Sequence, residues 1–490
     1  MNRLQKNILP SLTGRGWGRV LWGWVLSFLF LFLFSSCGDD PVTPPSEDSR
    51  LPQITWVMSS GRFRIQAGES IQLVPDIENL DETSVYVWTI EGEVVGHDNY
   101  YTFTTDTPGE YFVKLTINNR YGTVEDEVKI TVTEATTQDL PEIPEMGEWQ
   151  FPWTEINVAL GRSIKVRAYM TGSDEEVSEV FTATAEGRHT VTLTHPVTGV
   201  QKELTINVCS PAGKYRRSST GQAMVNKVYE YMPAPGHQVN GYIITGEAYP
   251  KNCTHKQACD SVLAHFSRKW SVSLGGQGGY LIAGFDHSVP SGGAEYDLCI
   301  KGNPFSYQSE PGIIWVSQDD NGDGLPNDQW FELAGSEYGN ENHTLEYAIT
   351  YYRPEKPKSY VGWRDTNNDT GYIPYMSYWN PSAYYWQPWQ TATEMTFFGS
   401  RLRDRSTYDN GISDIPPYDW GYADNLGDFI DGPAGKMGYY KISNARTWDG
   451  QPANLEYIDF IKIQTAQTGS TPNLGEISTE VYYISDYHLE

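Results

Sequence analysis

The run Asp319-Asp320-Asn321-Gly322-Asp323-Gly324-Leu325-Pro326-Asn327-Asp328 sets side-chain oxygens at every second position. Oxygens at that spacing converge on a hard cation, and Gly324 permits the sharp turn that aims the Leu325 carbonyl inward. This chemistry fits Ca2+ held by Asp319, Asn321, Asp323, the Leu325 carbonyl and Asp328. Trp330 stands at the twelfth position, where a helical EF-hand carries Glu. Asp328, Glu332 or a distant group would therefore close the shell. The alternative is a solvated Asx-turn between strands. Asp365-Thr366-Asn367-Asn368-Asp369-Thr370-Gly371 repeats the spacing without the central glycine.

A second set of residues is aromatic. Tyr372, Tyr375, Tyr378, Trp379, Tyr384, Tyr385, Trp386 and Trp389 fall in one segment without a charged residue, and strand periodicity does not account for them. Rigid rings with polar edges suit a sugar ring or another flat amphipathic ligand. Tyr378, Trp379, Tyr385, Trp386 and Trp389 are the expected contact residues. The competing reading has the same rings packing on one another as a small second core.

Catalytic signatures are sparse. Gly275-Gly276-Gln277-Gly278-Gly279 precedes a strand instead of opening a helix, so it offers no phosphate cradle. HExxH, GxSxG and P-loop patterns do not occur. Asp286, His287 and Asp297 could form an acid–base cluster. Glu476 and Glu480 share a face, yet on one straight strand they would lie about 13 Å apart, beyond either glycosidase geometry.

The elements that must carry these residues are mostly β. Residues 210–490 hold one expected helix, His255 to Trp270, with Ala258, Val262, Phe266 and Trp270 on one face. Strands such as Tyr280–Phe285, Gly312–Val316, Tyr347–Tyr352 and Tyr457–Gln464 are separated by long aromatic loops, which suggests a jelly-roll-type β-sandwich. Residues 53–134 alternate with period two, placing Val85, Val87, Val113, Leu115 and Ile117 in a sandwich core. Residues 142–209 repeat the pattern more weakly, and His189 and His195 there read as ordinary sheet residues. The expected fold is two immunoglobulin-like sandwiches followed by a larger one.

Val87-Trp88-Thr89-Ile90-Glu91-Gly92-Glu93, Thr107-Pro108-Gly109-Glu110-Tyr111 and Asn118-Asn119-Arg120-Tyr121-Gly122 resemble the PKD domain, an immunoglobulin-like spacer of bacterial surface proteins. The usual aspartate-rich turn is altered, so the resemblance is to a PKD-like variant. Gly278 to His287, Ser309 to Val316, Asp319 to Glu337 and Gly475 to Glu480 resemble the C-terminal domain of PKD-containing cell-surface lipoproteins of the Bacteroidota. That resemblance implies capture of a glycan or corrinoid-like nutrient beside a TonB-dependent transporter, without catalysis.

The N-terminus points the same way. Fourteen nearly apolar residues, 21–34, follow Arg3, Lys6, Arg15 and Arg19 and end at Ser35-Ser36-Cys37. The run is short for a hydrocarbon core of about 30 Å, and small residues mark a cleavage site. Residues 1–36 read as a lipoprotein signal peptide and Cys37 as the lipidated N-terminus, held on the outer membrane by its acyl chains. A single N-terminal anchor helix is the alternative. Residues 37–52 are a polar, proline-broken tether, and the acidic pair Asp39-Asp40 resembles a surface-export signal. The net charge of −27, less the four cations of the signal, gives −27 − 4 = −31 for the mature chain, which repels nucleic acid.

Four cysteines follow Cys37: Cys209, Cys253, Cys259 and Cys299. An oxidising compartment permits bridges among them, and buried thiols are equally compatible. Together these features indicate a surface lipoprotein that captures a ligand. An adhesion or scaffold protein is the runner-up, and a glycan hydrolase comes third.

Overall fold

The structure, a computed structural model, describes residues 51–490 except 57–61, 135–139, 174, 238, 240–252, 306, 357, 377–384, 410–411, 433–434 and 473. Cys37 and the signal segment lie outside the described residues, as do Tyr378 and Trp379. The chain is mostly β, its sheets are open, and the described residues include one α-helix. No helix among them is long and apolar enough to cross a membrane.

In the first sandwich, strand Val85–Ile90 lies between Gly109–Asn119 and Glu93–Gly96, and Gly122–Thr133 and Arg62–Gln66 complete a five-stranded sheet. Ile71, Leu73 and Phe103 of a second, two-stranded sheet pack with its Val113, Leu115 and Ile117. The register of Val85–Ile90 is opposite to expectation. Val85 is 52% exposed while Trp88 is fully buried, against Trp56 and stacked on Tyr101 at 5.8 Å. Alternation admits one face only, and the large indole takes it over the two valines.

The second sandwich pairs the sheet Glu155–Ala159, Gln201–Cys209, Gly187–Thr194 with the hairpin Ser163–Ala168 and Val177–Thr182. Ile156, Val158, Ile164, Val166, Leu193 and Ile206 fill it. His189 and His195 bond locally, to Ala185 O and from Val197 N.

The C-terminal domain is built on a six-stranded sheet. Its order is Lys227–Met232, Tyr280–Pro290, Tyr457–Thr465, Gly312–Ser317, Trp330–Leu333 and Ala445–Arg446. One face packs Tyr231, Leu281, Ile463 and Ile314 into the largest core, which also receives Leu298, Ile300 and Ile484 of a four-stranded sheet. The helix His255–Arg268 covers the same core through Ala258, Cys259, Val262 and Phe266. Thr254 and Gln257 form a capping box at its start. Lys269, in the left-handed region at φ 56°, ends it. Trp270 therefore falls after the helix and is 49% exposed, not part of the expected buried stripe. Cys209, Cys253, Cys259 and Cys299 are unbridged.

Candidate functional site

The outer face of the six-stranded sheet is unusual for a sheet face that is covered. Glu230 pairs with Ile282, Ile282 with Lys462, Lys462 with Trp315, Trp315 with Glu332, and Glu332 with Arg446. Each strand thus contributes one residue to a single register row, and the row carries four charges. Alternation explains how this coexists with a dry core, because the neighbouring row Tyr231, Leu281, Ile463, Ile314 points the other way.

The row is the floor of a cleft of about 430 Å³, within the size range of small-ligand sites. Trp153, Lys165 and Tyr169 of the second sandwich, Glu346 and Phe398 of the sheet containing Tyr347 and Phe397, and Asn327 to Trp330 make its walls. Aromatic rings stand around its mouth: Trp448 is exposed, and Trp153, Tyr280, Trp315, Trp330 and Tyr338 are half-buried. The Lys462 ammonium sits 4.5 Å from the Tyr280 ring centroid and 5.8 Å from that of Trp315. Desolvation pulls its pKa down to about 8, and Glu230 opposes that shift. Trp315 Nε1 and Gln329 Oε1 are buried without a partner.

The second sandwich is joined to the C-terminal domain beside the cleft by direct contacts. Asn157 N and Nδ2 donate to Asn327 O at 3.0 and 3.2 Å, and Gln329 N donates to Asn157 O at 3.1 Å. Arg162 Nη1 meets Asp320 Oδ2 at 2.9 Å. Lys165 and Arg167 both reach Glu346, and Tyr169 packs on Phe398 at 5.1 Å.

The Asp319–Asp328 segment is part of that joint. Gly322 and Gly324, both at φ 75°, fold it so that Asp319 Oδ1 accepts from Gly322 N and Asp323 N, and Oδ2 from Gly324 N. Asp323 accepts from Leu325 N, Asn321 Nδ2 and Asn327 Nδ2. The Asx-turn geometry is therefore present. Asp328 differs: one oxygen accepts from Asp320 N, and Oδ2 is buried without a partner. Burial and the nearby carboxylates of Asp320, Asp319 and Asp323 push its pKa up to about 9. Asp365 closes a hairpin turn, accepting from Asn367 N and Asp369 N, and bonds Tyr347 and Arg401.

The described part of the aromatic segment packs inward. Tyr385 and Trp386 are 2% and 5% exposed, in a core with Tyr347, Tyr351, Tyr375 and Phe397. Tyr385 stacks on Tyr375 at 5.3 Å and accepts from Met376 N, while Trp386 Nε1 donates to Ala392 O. Trp389 packs against the main core, near Tyr231 and His255. Backbone partners for their polar edges let Tyr385 and Trp386 be buried, and Trp389 is half-buried against the main core, so the three rings serve packing and not a shared presented face. The indoles that line the open site are those of Trp153, Trp315, Trp330 and Trp448. Trp315 and Trp330 sit in strands whose pairing is non-local, and Trp153 and Trp448 stand in loops, so no sequence pattern grouped them.

A second polar group is buried at the domain's other sheet end. Carboxyl oxygens of Glu310, Asp424 and Glu480 lie within 4.8 Å of one another, the one such group of three among the described residues. Burial raises both Glu310 and Glu480, Glu310 to about 7, and the hydrogen bond between them opposes the rise at Glu310. Glu476 bonds His237 Nδ1 at 2.6 Å nearby. Glu476 and Glu480 lie on separate short strands and are both buried. Glu310 and Glu480, in contact, are closer than a glycosidase pair requires. Asp286 and Asp486 both bond His287, whereas Asp297 accepts from Gly292 N and Ile442 N instead.

Residues 51–119 match the model of the PKD-like domain. The chain is similar in structure to the PKD domain from human KIAA0319, at 18% identity over 22% of this chain and 100% of that one, with a TM-score of 0.16. It is also similar to fibronectin(III)-like modules of CbhA from Clostridium thermocellum, at 14% identity, 32% and 94% coverage and a TM-score of 0.17. A titin Ig tandem matches at 17% identity, 32% and 97% coverage and a TM-score of 0.15. No curated protein matches the chain.

Proposed function

We propose that this chain is a non-catalytic surface lipoprotein of a Bacteroidota outer membrane that captures an extracellular glycan for a TonB-dependent transporter. Cys37 carries the lipid, the PKD-like sandwich is a spacer, and the second sandwich is a wall of the binding site. The observation that carries this reading is the register row from Glu230 to Arg446, lying at the floor of a cleft of about 430 Å³ edged by indole rings. Rings supply flat apolar area to a pyranose face, and the charged row supplies fixed hydrogen-bond groups to its hydroxyls. An arrangement of this kind binds without needing a nucleophile. Calorimetric titration of the mature chain against a glycan panel and cobalamins tests it: saturable binding of a glycan without product release is the expected result. Retention of a cobalamin alone would reassign the ligand, and product release would make the protein an enzyme.

Ca2+ is the ion proposed for the Asp319–Asp328 loop. The fit rests on Asp328, whose buried Oδ2 lacks a partner beside three further carboxylates. Asp319, Asn321, Asp323, the Leu325 carbonyl and Asp328 would hold it, and it would stiffen the wall that Asn327 and Asp328 give to the cleft.

A further inference from the structure

Within the cleft the carboxylates and the cations are treated differently. Glu230 accepts from the Tyr280 hydroxyl at 2.6 Å. Glu332 accepts from Ser400 Oγ at 2.6 Å and lies 2.9 Å from His343 Nε2. Glu346 receives Lys165 and Arg167, and Glu155 receives Asn207 Nδ2. Asp328, at the loop end of the cleft, is the exception discussed above. Lys462 Nζ, by contrast, donates to Phe398 O at 3.3 Å, and Arg446 Nη1 to the carbonyls of Ser443 and Ala445. Among the described residues neither cation has a carboxylate oxygen within 4.0 Å. A chain with so large an acidic excess thus leaves two cations of its aromatic cleft out of ion-pair contact, although Glu332 is the cross-strand neighbour of Arg446 and Glu230 lies in the same row as Lys462. Buried or half-buried cations are ordinarily paired.

From this we infer that the captured glycan is acidic: a uronic-acid oligosaccharide stacked on Trp315, with one carboxylate on Lys462 and another on Arg446. The inference rests on the ligand-capture reading. Lys462 and Arg446 are three strands apart in the row, about 14 Å at the usual strand spacing. A single sugar cannot bridge that distance, so the ligand is an oligomer. Arg446, with a planar fork, suits a carboxylate in two-point contact, and Lys462 acts as a point charge held by the Tyr280 and Trp315 rings. The lowered Lys462 pKa agrees with an ammonium awaiting an anion.

The test compares a galacturonate tetramer with the same oligosaccharide whose carboxyls have been reduced to hydroxymethyl groups, by calorimetry on the mature chain. The expected result is at least tenfold tighter binding of the acidic form, the scale of one charge-assisted hydrogen bond. Lys462→Gln and, separately, Arg446→Gln should narrow that ratio, and Lys462→Arg should preserve it, with thermal melts confirming that each variant folds. Equal affinity for both forms overturns the acidic inference and leaves glycan capture standing. Binding of neither form, with a neutral glycan of the panel bound, has the same meaning. Absence of any glycan binding overturns both.

Discussion

Trp315 and Lys462 are direct cross-strand partners, and the lysine ammonium stands 5.8 Å from the indole centroid. Their strands, Gly312–Ser317 and Tyr457–Thr465, are about 150 residues apart in sequence and adjacent in the sheet. The pair joins an apolar plate to a desolvated cation at the centre of a covered sheet face, where packing alone would favour aliphatic side chains. Such local conflict with folding preference marks functional sites. It is the relationship from which the ligand-capture account is built.

The joint between the second sandwich and the C-terminal domain should depend on Arg162. Its partner Asp320 is fully buried, with its pKa pushed up to about 6 by desolvation even beside the guanidinium. Removing the cation in Arg162→Ala strands a buried carboxylate, a change that typically costs about 3–5 kcal/mol. Urea denaturation should show this loss, and limited proteolysis should show new cleavage between the modules. A variant as stable as the parent would mean that the remaining contacts, of Asn157, Lys165, Arg167 and Tyr169, hold the modules without it.

The Glu310–Glu480 pair should make stability depend on pH. Both carboxyls titrate higher in the folded protein than in the unfolded chain, Glu310 at about 7. Their stabilising contribution is therefore complete below the ordinary glutamate range and is lost as pH rises through about 7. Asp424, Glu476 and His237 face the pair, and the first two add negative charge. Glu480→Gln keeps a donor toward Glu310 without the charge. Its melting temperature should fall less than the parent's between pH 5 and pH 8; parallel curves would count against a shared proton.

Chelation should lower the melting temperature of the mature chain. An ion present at 100 times its Kd adds about 2.7 kcal/mol to the folded state. Asp323→Ala should show the same deficit and no further response to chelator. Identical melts with and without excess chelator would leave the Asp319–Asp328 segment as the hydrogen-bonded Asx-turn seen in the structure.

Cys37→Ala should abolish membrane association. Antibody to the C-terminal domain should stain intact cells, and protease added outside should cut the wild-type protein. Survival of the wild-type protein intact under that treatment would place it on the periplasmic face.

Local patterns were legible where contacts are local. The helix was marked by Ala258, Val262 and Phe266 at every fourth residue, but its end was not, because Lys269 adopts a left-handed cap that ordinarily calls for glycine. In Val85–Ile90 the alternation was visible and its phase was not, since Val85 and Trp88 are both apolar and only the Tyr101 and Trp56 packing decides between them. Glu476 and Glu480 share one alternating run in the sequence but belong to two short strands. The cleft was invisible for a different reason. Its row takes one residue from each of six strands, and no pattern within a strand reports which residue of another strand it will face. The aromatic segment was conspicuous because it is contiguous, yet Tyr385 and Trp386 find their polar partners in nearby backbone and close on themselves.

The most direct measurement is calorimetric titration of the mature wild-type chain and of Trp315→Ala with the glycan that binds best in the panel, with a thermal melt of each. Truncating a central aromatic anchor typically costs about 2 kcal/mol or more, near thirtyfold in affinity. The account predicts a loss of that size in a variant that still unfolds cooperatively, at a melting temperature lowered by the packing that Trp315 gives to Ile313, Leu402, Tyr418, Tyr422 and Ala466, while the core behind the sheet is intact. Unchanged affinity in the folded variant would contradict it, and the binding site would then lie away from the Trp315–Lys462 row.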